Sequence, residues 1–369
     1  MKICHISTVH PQYDIRIFEK QCKSLRDSGH NITLLINNDK DELKDGIKIK
    51  SLKSRKSKIA RLLLNLPYTL FYLLKNKYDI YHAHDPELIP ILYFLRLLGR
   101  NVVYDMHENF TKEIKHNPYL NIFIKKIILQ IWPLFEKKFL SKMNVIYAET
   151  SYKKDYPYIL NSIDVLNMPL IEKLKKIKTD DKHKRFTFGY VGVVSRSRNI
   201  IEILISILNL QKKGYDVGFE CIGPISSKEL RKEINKISKK INNFRYYDEL
   251  PPKKSWEIIS KCHVGLAILN DLPNYNESLP TKIFEYLAFD MPIVTSNFTL
   301  YKSITDDMGV GISVSPNNIN NLENALSEII NNKALYNNFV NNIRNNFNEK
   351  FSWENEYKKL IFFYKKLAR

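Results

Sequence analysis

Asn276-Glu277-Ser278-Leu279-Pro280-Thr281-Lys282-Ile283-Phe284-Glu285-Tyr286-Leu287, with the apolar run Met291-Pro292-Ile293-Val294 close behind, is the most informative stretch of the chain. Two glutamates bracket seven residues, with a proline and a lysine between them. Pro280 suits the first turn of a helix, where its missing N–H and fixed φ cost nothing. Ser278 and Leu279 would then leave backbone N–H groups at the positive end of that helix. Such an end binds phosphate, and Lys282 adds a full charge one turn in. Ile283, Tyr286 and Leu287 recur at helical spacing and are expected to face the core, while Lys282 and Glu285 share another face. The arrangement suits a nucleotide-sugar. Its diphosphate needs positive charge, and a carboxylate accepts two hydrogen bonds from a ribose diol or from sugar hydroxyls.

Two glutamates at this spacing alone would describe an ordinary solvated helix face. With Pro-Thr-Lys, Phe-Glu-Tyr-Leu and the following Met-Pro-Ile-Val strand, the stretch resembles the donor site of the retaining family 4 glycosyltransferases of the GT-B fold. The resemblance implies an α/β protein with two Rossmann-like domains facing across a cleft and a C-terminal helix crossing back to the N-domain. It implies that Lys282 holds the donor diphosphate, Glu277 orients the donor sugar and Glu285 binds the ribose.

Outward from this stretch, hydrophobic runs alternate with helical patterns in two rounds. In the first, strands are expected at Lys2–Ser7, Ile32–Ile36, Ile80–Ala83, Val102–Asp105 and Val145–Ala148, with a helix from about Ile15 to Ser28 stopped by Gly29. Asn167-Met168-Pro169 closes this round, and the charged stretch Glu172 to Lys184 reads as a linker. The second round has strands at Thr187–Val193, Val217–Ile222, Phe244–Tyr247, Val264–Ile268 and Pro292–Thr295, with a helix from about Asn199 to Lys212. Strands alternating with helices imply parallel sheets covered on both faces. The expected division is an acceptor-side domain over 1–168, a donor-binding domain over 185–350 and a terminal aromatic helix over 351–369.

Other residues join the candidate site through the resemblance. Gly192 ends a strand and lets a ligand approach the backbone, and a basic residue after it is expected on the donor phosphates. Arg198 is the first choice and Arg196 the second. The family usually has Arg-Gly here, whereas this chain has Arg198-Asn199. Gly223-Pro224 and Tyr247-Asp248-Glu249, at later strand ends, could border the nucleobase or serve as turns. In the first half, His10-Pro11 with Asp14-Ile15-Arg16-Ile17-Phe18, His82-Ala83-His84-Asp85 and Tyr104-Asp105-Met106-His107-Glu108 resemble the family's acceptor half. His107 matches a histidine that relatives place by the donor sugar; a structural histidine is the plainer alternative. His82 and His84 are expected to point to opposite sides, leaving one structural. The glycine pair of the family's first loop is replaced by His10 to Asp14, as in a polysaccharide-building subset.

Composition bounds the rest. The 369 residues exceed the usual size of one core, and 44% hydrophobic content fits a folded protein. Cys4, Cys22, Cys221 and Cys262 show no metal spacing and read as buried free thiols in a reducing compartment. The acidic pairs Asp180-Asp181 and Asp306-Asp307 sit in linker-like or turn-like contexts, so no metal cofactor is expected. The opening residues lack a signal-peptide pattern, and the longest apolar run, Leu62 to Leu74, is too short to span a bilayer, so a cytoplasmic location is expected. The net charge of +19 fits an anionic partner. Two basic-aromatic stretches, Lys53 through Tyr72 and Phe123 through Phe139, fit either a core or an anionic membrane surface.

The expected activity is metal-independent transfer of a sugar from a nucleotide-sugar, UDP- or GDP-linked, to a glycan or polyprenyl-linked acceptor with retention. The setting would be capsule or lipopolysaccharide synthesis on the inner face of the cell membrane. An epimerase or phosphorylase of the same fold is the alternative. A basic nucleic-acid-binding protein ranks lower, since no nucleic-acid motif accompanies the charge.

Overall fold

The computed structural model describes residues 1–53, 61–107, 109–116, 120–347 and 351–368. Expectations for Glu108 and for Ser54 to Ala60 lie outside the described residues. The chain divides into two units, Met1–Asn167 with Trp353–Arg369, and Met168–Ser352.

Unit 1 is built on eight strands: β1 (Lys2–Ile6), β2 (Asn31–Asn37), β3 (Glu42–Lys44), β4 (Ile47–Leu52), β5 (Ile80–Ala83), β6 (Val102–Met106), β7 (Asn144–Tyr147) and β8 (Asn161–Asp164). Their order is β3-β4-β2-β1-β5-β6-β7-β8, parallel except for the β3–β4 hairpin. Apolar runs such as Val102-Val103-Tyr104 are buried throughout, as expected for strands covered on both faces. The helices used below are α1 (15–27), α2 (Leu66–Lys75), α3 (Ile89–Leu97), α4 (Phe110–His116) and α5 (Ile122–Leu140).

The first part of α1, Ile15–Cys22, is wound as a wide π-helix started by Asp14, whose Oδ1 accepts from the N–H groups of Arg16 and Ile17 at 2.8 Å. The wider turn brings Arg16, Lys20 and Gln21 onto one buried face. An ordinary helix, turning about 100° per residue, would carry Gln21 about 140° round from Arg16.

Unit 2 holds β9 (Phe186–Val191), β10 (Val217–Ile222), β11 (Phe244–Tyr247), β12 (Val264–Ala267), β13 (Ile293–Ser296) and β14 (Gly311–Val314), all parallel in the order β11-β10-β9-β12-β13-β14. Its relevant helices are α6 (Ile200–Lys212) and α7 (Thr281–Ala288). The stretch expected as linker from Glu172 instead begins inside a short helix of this unit, Ile171–Lys175, which buries Ile171 and Leu174.

The last helix, α8 (Trp353–Leu367), packs on unit 1. Trp353 Nε1 donates to Ser24 Oγ at 2.8 Å, and the backbone N–H of Leu166 donates to Glu356 Oε2 at 2.8 Å. Tyr364, fully buried, hydrogen-bonds His82 Nδ1.

Candidate active site

In each sheet the strand order reverses once, between β1 and β5 in unit 1 and between β9 and β12 in unit 2. Ligands of open α/β sheets bind beyond the carboxyl ends of strands at such reversals. Several of the candidate residues lie at these two points.

In unit 2, β9 runs into Gly192 (φ +122) and β10 into Gly223 (φ +134), conformations that L side chains rarely adopt. A Cβ on Gly223 would lie 2.1 Å from the Gly192 carbonyl oxygen. A Cβ on Gly192 would meet Arg198 Nη1 at 3.1 Å and Lys282 Nζ at 3.6 Å. Gly192, Arg198 and Lys282 are therefore brought together. Arg196 instead pairs with Glu233 on the surface.

Lys282 reaches this point because of how α7 is seated. Its Tyr286 ring lies on β12 at Gly265, where a Cβ would come within 2.2 Å of the ring. The Tyr286 hydroxyl accepts from the Val191 N–H at 2.9 Å, filling the gap where β9 and β12 part. Helix α7 starts at Thr281, so Pro280 is its N-cap, one residue earlier than expected. Lys282 is buried with Ile283 and Phe284, its Nζ 4.0 Å from the centroid of the Tyr190 ring and without a hydrogen-bond partner among the described residues. Burial first, and the charge of Arg198 second, push its pKa well below that of an ordinary lysine. Glu285 is half-buried on the same helix, and Glu277 ends the short helix Pro273–Asn276. Asn276 also lines a cavity of about 420 Å³ with Asp271, Phe298, Thr299 and Ser315.

The Arg198-Asn199 departure has a simple resolution. Asn199 is left-handed (φ +50, ψ +34), the conformation in which a glycine would be at ease and which asparagine tolerates. Asp248 of the Tyr247-Asp248-Glu249 turn pairs with Arg231 at 3.1 Å, and Gly223 is held against Gly192.

In unit 1 the strand ends carry histidines. His5 from β1, His82 from β5, His84 just past it and His107 beyond β6 form one row of ring contacts, His82 and His84 with ring centroids 4.5 Å apart. The expectation that His82 and His84 point to opposite sides is overturned. Residues two apart along a strand share a face, and both rings are fully buried in one cluster. Burial lowers the pKa of each of His5, His82 and His84.

Asp105, completely buried, lies beneath the row. Arg16 clamps it with Nη2 2.7 Å from Oδ1 and Nε 3.1 Å from Oδ2, and Gln21 Nε2 donates to Oδ2 at 2.6 Å. His107 Nε2 is 3.1 Å from the same Oδ2. Burial opposes ionisation of Asp105, but Arg16 and His107 outweigh it and hold the carboxyl well below the usual range. Nearby, Asp85 Oδ2 accepts from Ser7 Oγ at 2.9 Å and Thr8 N at 2.5 Å, and His10 lies between Asp85 and Asp14.

Sequence spacing did not reveal this cluster, which draws on three strands and two helices. The segments around Arg16, His82 and Asp105 were marked by the family resemblance, whereas His5, alone among apolar neighbours in Ile3-Cys4-His5-Ile6, and Gln21 were not. Among the described residues two donor sets, His5/His82/His84 and His84/Asp105/His107, are close enough to hold a metal ion. In the second set Arg16 and Gln21 already occupy Asp105, and the guanidinium would repel a cation. The contacts there fit a hydrogen-bonded network better than a metal centre.

Each of the two units matches a family of known proteins. Residues 171–346 match the family described as glycosyl transferases group 1, and residues 16–156 match glycosyltransferase family 4. The chain is 23% identical over 199 residues to the capsular polysaccharide biosynthesis glycosyltransferase CapM of Staphylococcus aureus. That match spans 51% of this chain and 48% of CapM, about half the length of each. Among solved structures, the sucrose-phosphate synthase of Thermosynechococcus elongatus superposes with a TM-score of 0.76 at 14% identity, covering 99% of this chain and 98% of the other. HepE of Anabaena, in complex with UDP-glucose, gives 0.73 at 12%, covering 99% and 100%. The two family matches take in most of the chain, one in each unit, and the chain belongs to the GT-B glycosyltransferases of the family 4 type.

Proposed function

We propose that the protein transfers a sugar, with retention, from a nucleoside diphosphate donor to a lipid-linked glycan in surface polysaccharide synthesis. The observation that carries this reading is the cationic pair at Gly192. Lys282 is buried beside Arg198 and lacks a hydrogen-bond partner, an arrangement that is costly until an anion arrives. A diphosphate supplies that anion, and the same cations then offset charge on the departing nucleoside diphosphate. Glu285 takes the ribose, Glu277 orients the sugar, and His107 serves the reacting centre. No metal ion enters this scheme. UDP is the favoured nucleotide because HepE is seen with UDP-glucose. CapM's role in capsular polysaccharide supports the acceptor class.

The protein would act at the inner face of the membrane as a peripheral enzyme. No described helix is long and apolar enough to cross a membrane. In unit 1, α3 packs between α2 and α5, and these helices expose Phe71, Leu97, Phe123, Ile131 and Leu134, with Leu63 exposed in the π-helical turn Arg61–Asn65 just before α2. No acidic residue occurs between Lys53 and Tyr78 or between Ile89 and Tyr104, and Glu136, the single one between Asn121 and Met143, is buried. An apolar face ringed by cations fits anionic lipid and disfavours self-association.

Calorimetric titration with UDP, GDP and their sugar conjugates, followed by product analysis with and without a polyprenyl-linked acceptor, tests the reaction. Tight UDP binding that is lost in Lys282→Met, with transfer to the acceptor, is the expected result. Donor turnover without any acceptor would point to an epimerase. Failure to bind any nucleotide would overturn the proposal. Flotation with anionic vesicles tests the surface: wild type should float and Phe123→Asp/Ile131→Asp should not, whereas dimerisation without flotation would assign that face to a second copy.

A further inference from the structure

Around His107 the hydrogen-bonding groups are so placed that the position of one proton fixes several others. His107 Nε2 faces Asp105 Oδ2 at 3.1 Å and His84 Nδ1 at 3.1 Å. His84 Nε2 faces His5 Nδ1 at 3.0 Å, and His5 Nε2 is buried without a hydrogen-bond partner among the described residues. A neutral imidazole carries one N–H, so only two arrangements of this row are consistent.

In one, every ring is protonated on Nε2. His107 then donates to Asp105, His84 donates to His5, and His5 Nε2–H is the end of the row. In this first arrangement the bare Nδ1 of His84 faces Asp105 Oδ2 at 3.4 Å; in the other, every ring is protonated on Nδ1, and the bare Nε2 of His107 would face the same carboxylate oxygen more closely, at 3.1 Å. Two acceptors at that distance repel one another in a buried site, where no water screens them. Arg16 and Gln21 keep Asp105 ionised and fixed in place, so the carboxylate cannot turn away.

We infer that Asp105, anchored by Arg16 and Gln21, is a positioning residue that sets the tautomer of His107. It keeps the proton on Nε2, so that Nδ1 is presented as a hydrogen-bond acceptor, and it carries the same choice through His84 to His5. His107 thus offers substrate a lone pair. This rests on the reading of His107 as serving the reacting centre, but the tautomer itself is measurable without turnover.

The test is nitrogen-detected NMR of the full chain labelled with ¹⁵N-histidine, with His107, His84 and His5 assigned by single His→Gln variants. The wild-type spectrum alone decides the first point: Nε2–H with a bare Nδ1 on all three rings is expected. Nδ1–H on His107 would overturn the inference, as would a zinc titration that displaces the Nε2 proton and is reversed by chelator. Asp105→Asn, if folded, should mix the two tautomers at His107 and lower kcat at least tenfold with the donor KM within twofold. If it does not fold, Gln21→Leu, which loosens Asp105 from one side, should shift the tautomer ratio measurably. An unchanged ratio in both folded variants would also overturn the inference. If transfer activity proves absent while the spectra are as expected, the functional reading fails and the positioning network stands.

Discussion

At the strand-order reversal of unit 2, Lys282 and Arg198 crowd one glycine, and the lysine has no hydrogen-bond partner. At the corresponding point of unit 1, Asp105 is equally buried, yet a guanidinium, an amide and an imidazole all converge on it. The same topological position thus serves opposite ends. One site is left short of negative charge, so that a ligand must complete it. The other is closed on itself, so its task is to hold a ring in one orientation. Folding stability and activity should therefore respond in opposite senses when the two are cut.

The sharpest break is Arg16→Met. It leaves the Asp105 carboxylate buried with its principal partner gone, and removing one member of such a pair typically costs about 3–5 kcal/mol. Chemical denaturation should show that loss. A loss below about 1 kcal/mol would mean that Asp105 is not held as an anion. Lys282→Met should do the reverse. It removes an unpartnered buried charge, so the melting temperature should hold or rise, while kcat falls by about 10²–10³, as when one donor to a developing anion is lost. Parallel thermal and kinetic assays check both halves. A destabilised but active variant would show that Lys282 is structural.

A third cut sharpens the comparison within unit 1. Glu136, buried on α5, accepts from the Tyr156 hydroxyl at 3.3 Å, and burial pushes its pKa from 4.5 up to about 7. Asp105 has a guanidinium to keep it charged, whereas Glu136 keeps its proton. Between pH 4.5 and about 7 the native state therefore binds more protons than the unfolded chain, so stability falls as pH rises. The full loss above that range is of order 3 kcal/mol. Glu136→Gln should flatten the dependence of unfolding free energy on pH between 5 and 8. A slope equal to wild type would show that the carboxyl is already ionised at pH 5.

Much of this was open to reading along the chain. Runs such as Ile80–Ala83 and Val217–Ile222 are apolar and bounded by turns, and they are strands at those bounds. The short strands Glu42–Lys44 and Asn161–Asp164 are polar and half-exposed, with no burial to impose a pattern, and they escaped notice. Local signals also marked Glu277, Lys282 and Glu285, because one helix and its entry carry all three. The histidine row has no such signal. Residues 5, 84 and 107 meet only because β1, β5 and β6 are neighbours in the sheet, and sequence spacing does not encode that order. Gln21 joins them through a π-helical turn that a 3.6-residue periodicity does not anticipate.

The smallest expected effect concerns the turn that follows Arg198. Arg198 lies beside Gly192 because the chain turns through a left-handed residue immediately after it, at Asn199, before α6 begins. Both polar atoms of the Asn199 side chain are buried without a hydrogen bond, so what the position uses is the backbone angle. Asn199→Gly should then leave nucleotide binding within twofold of wild type and change stability little, since glycine adopts φ +50 freely. Asn199→Ala keeps a Cβ without asparagine's tolerance for this region and should cost about 1–2 kcal/mol. It should also weaken UDP binding by letting Arg198 move, which paired denaturation and titration experiments would detect. If the alanine variant were indistinguishable from the glycine variant, the turn would not be what places Arg198, and the contact with Tyr190 would have to do so instead.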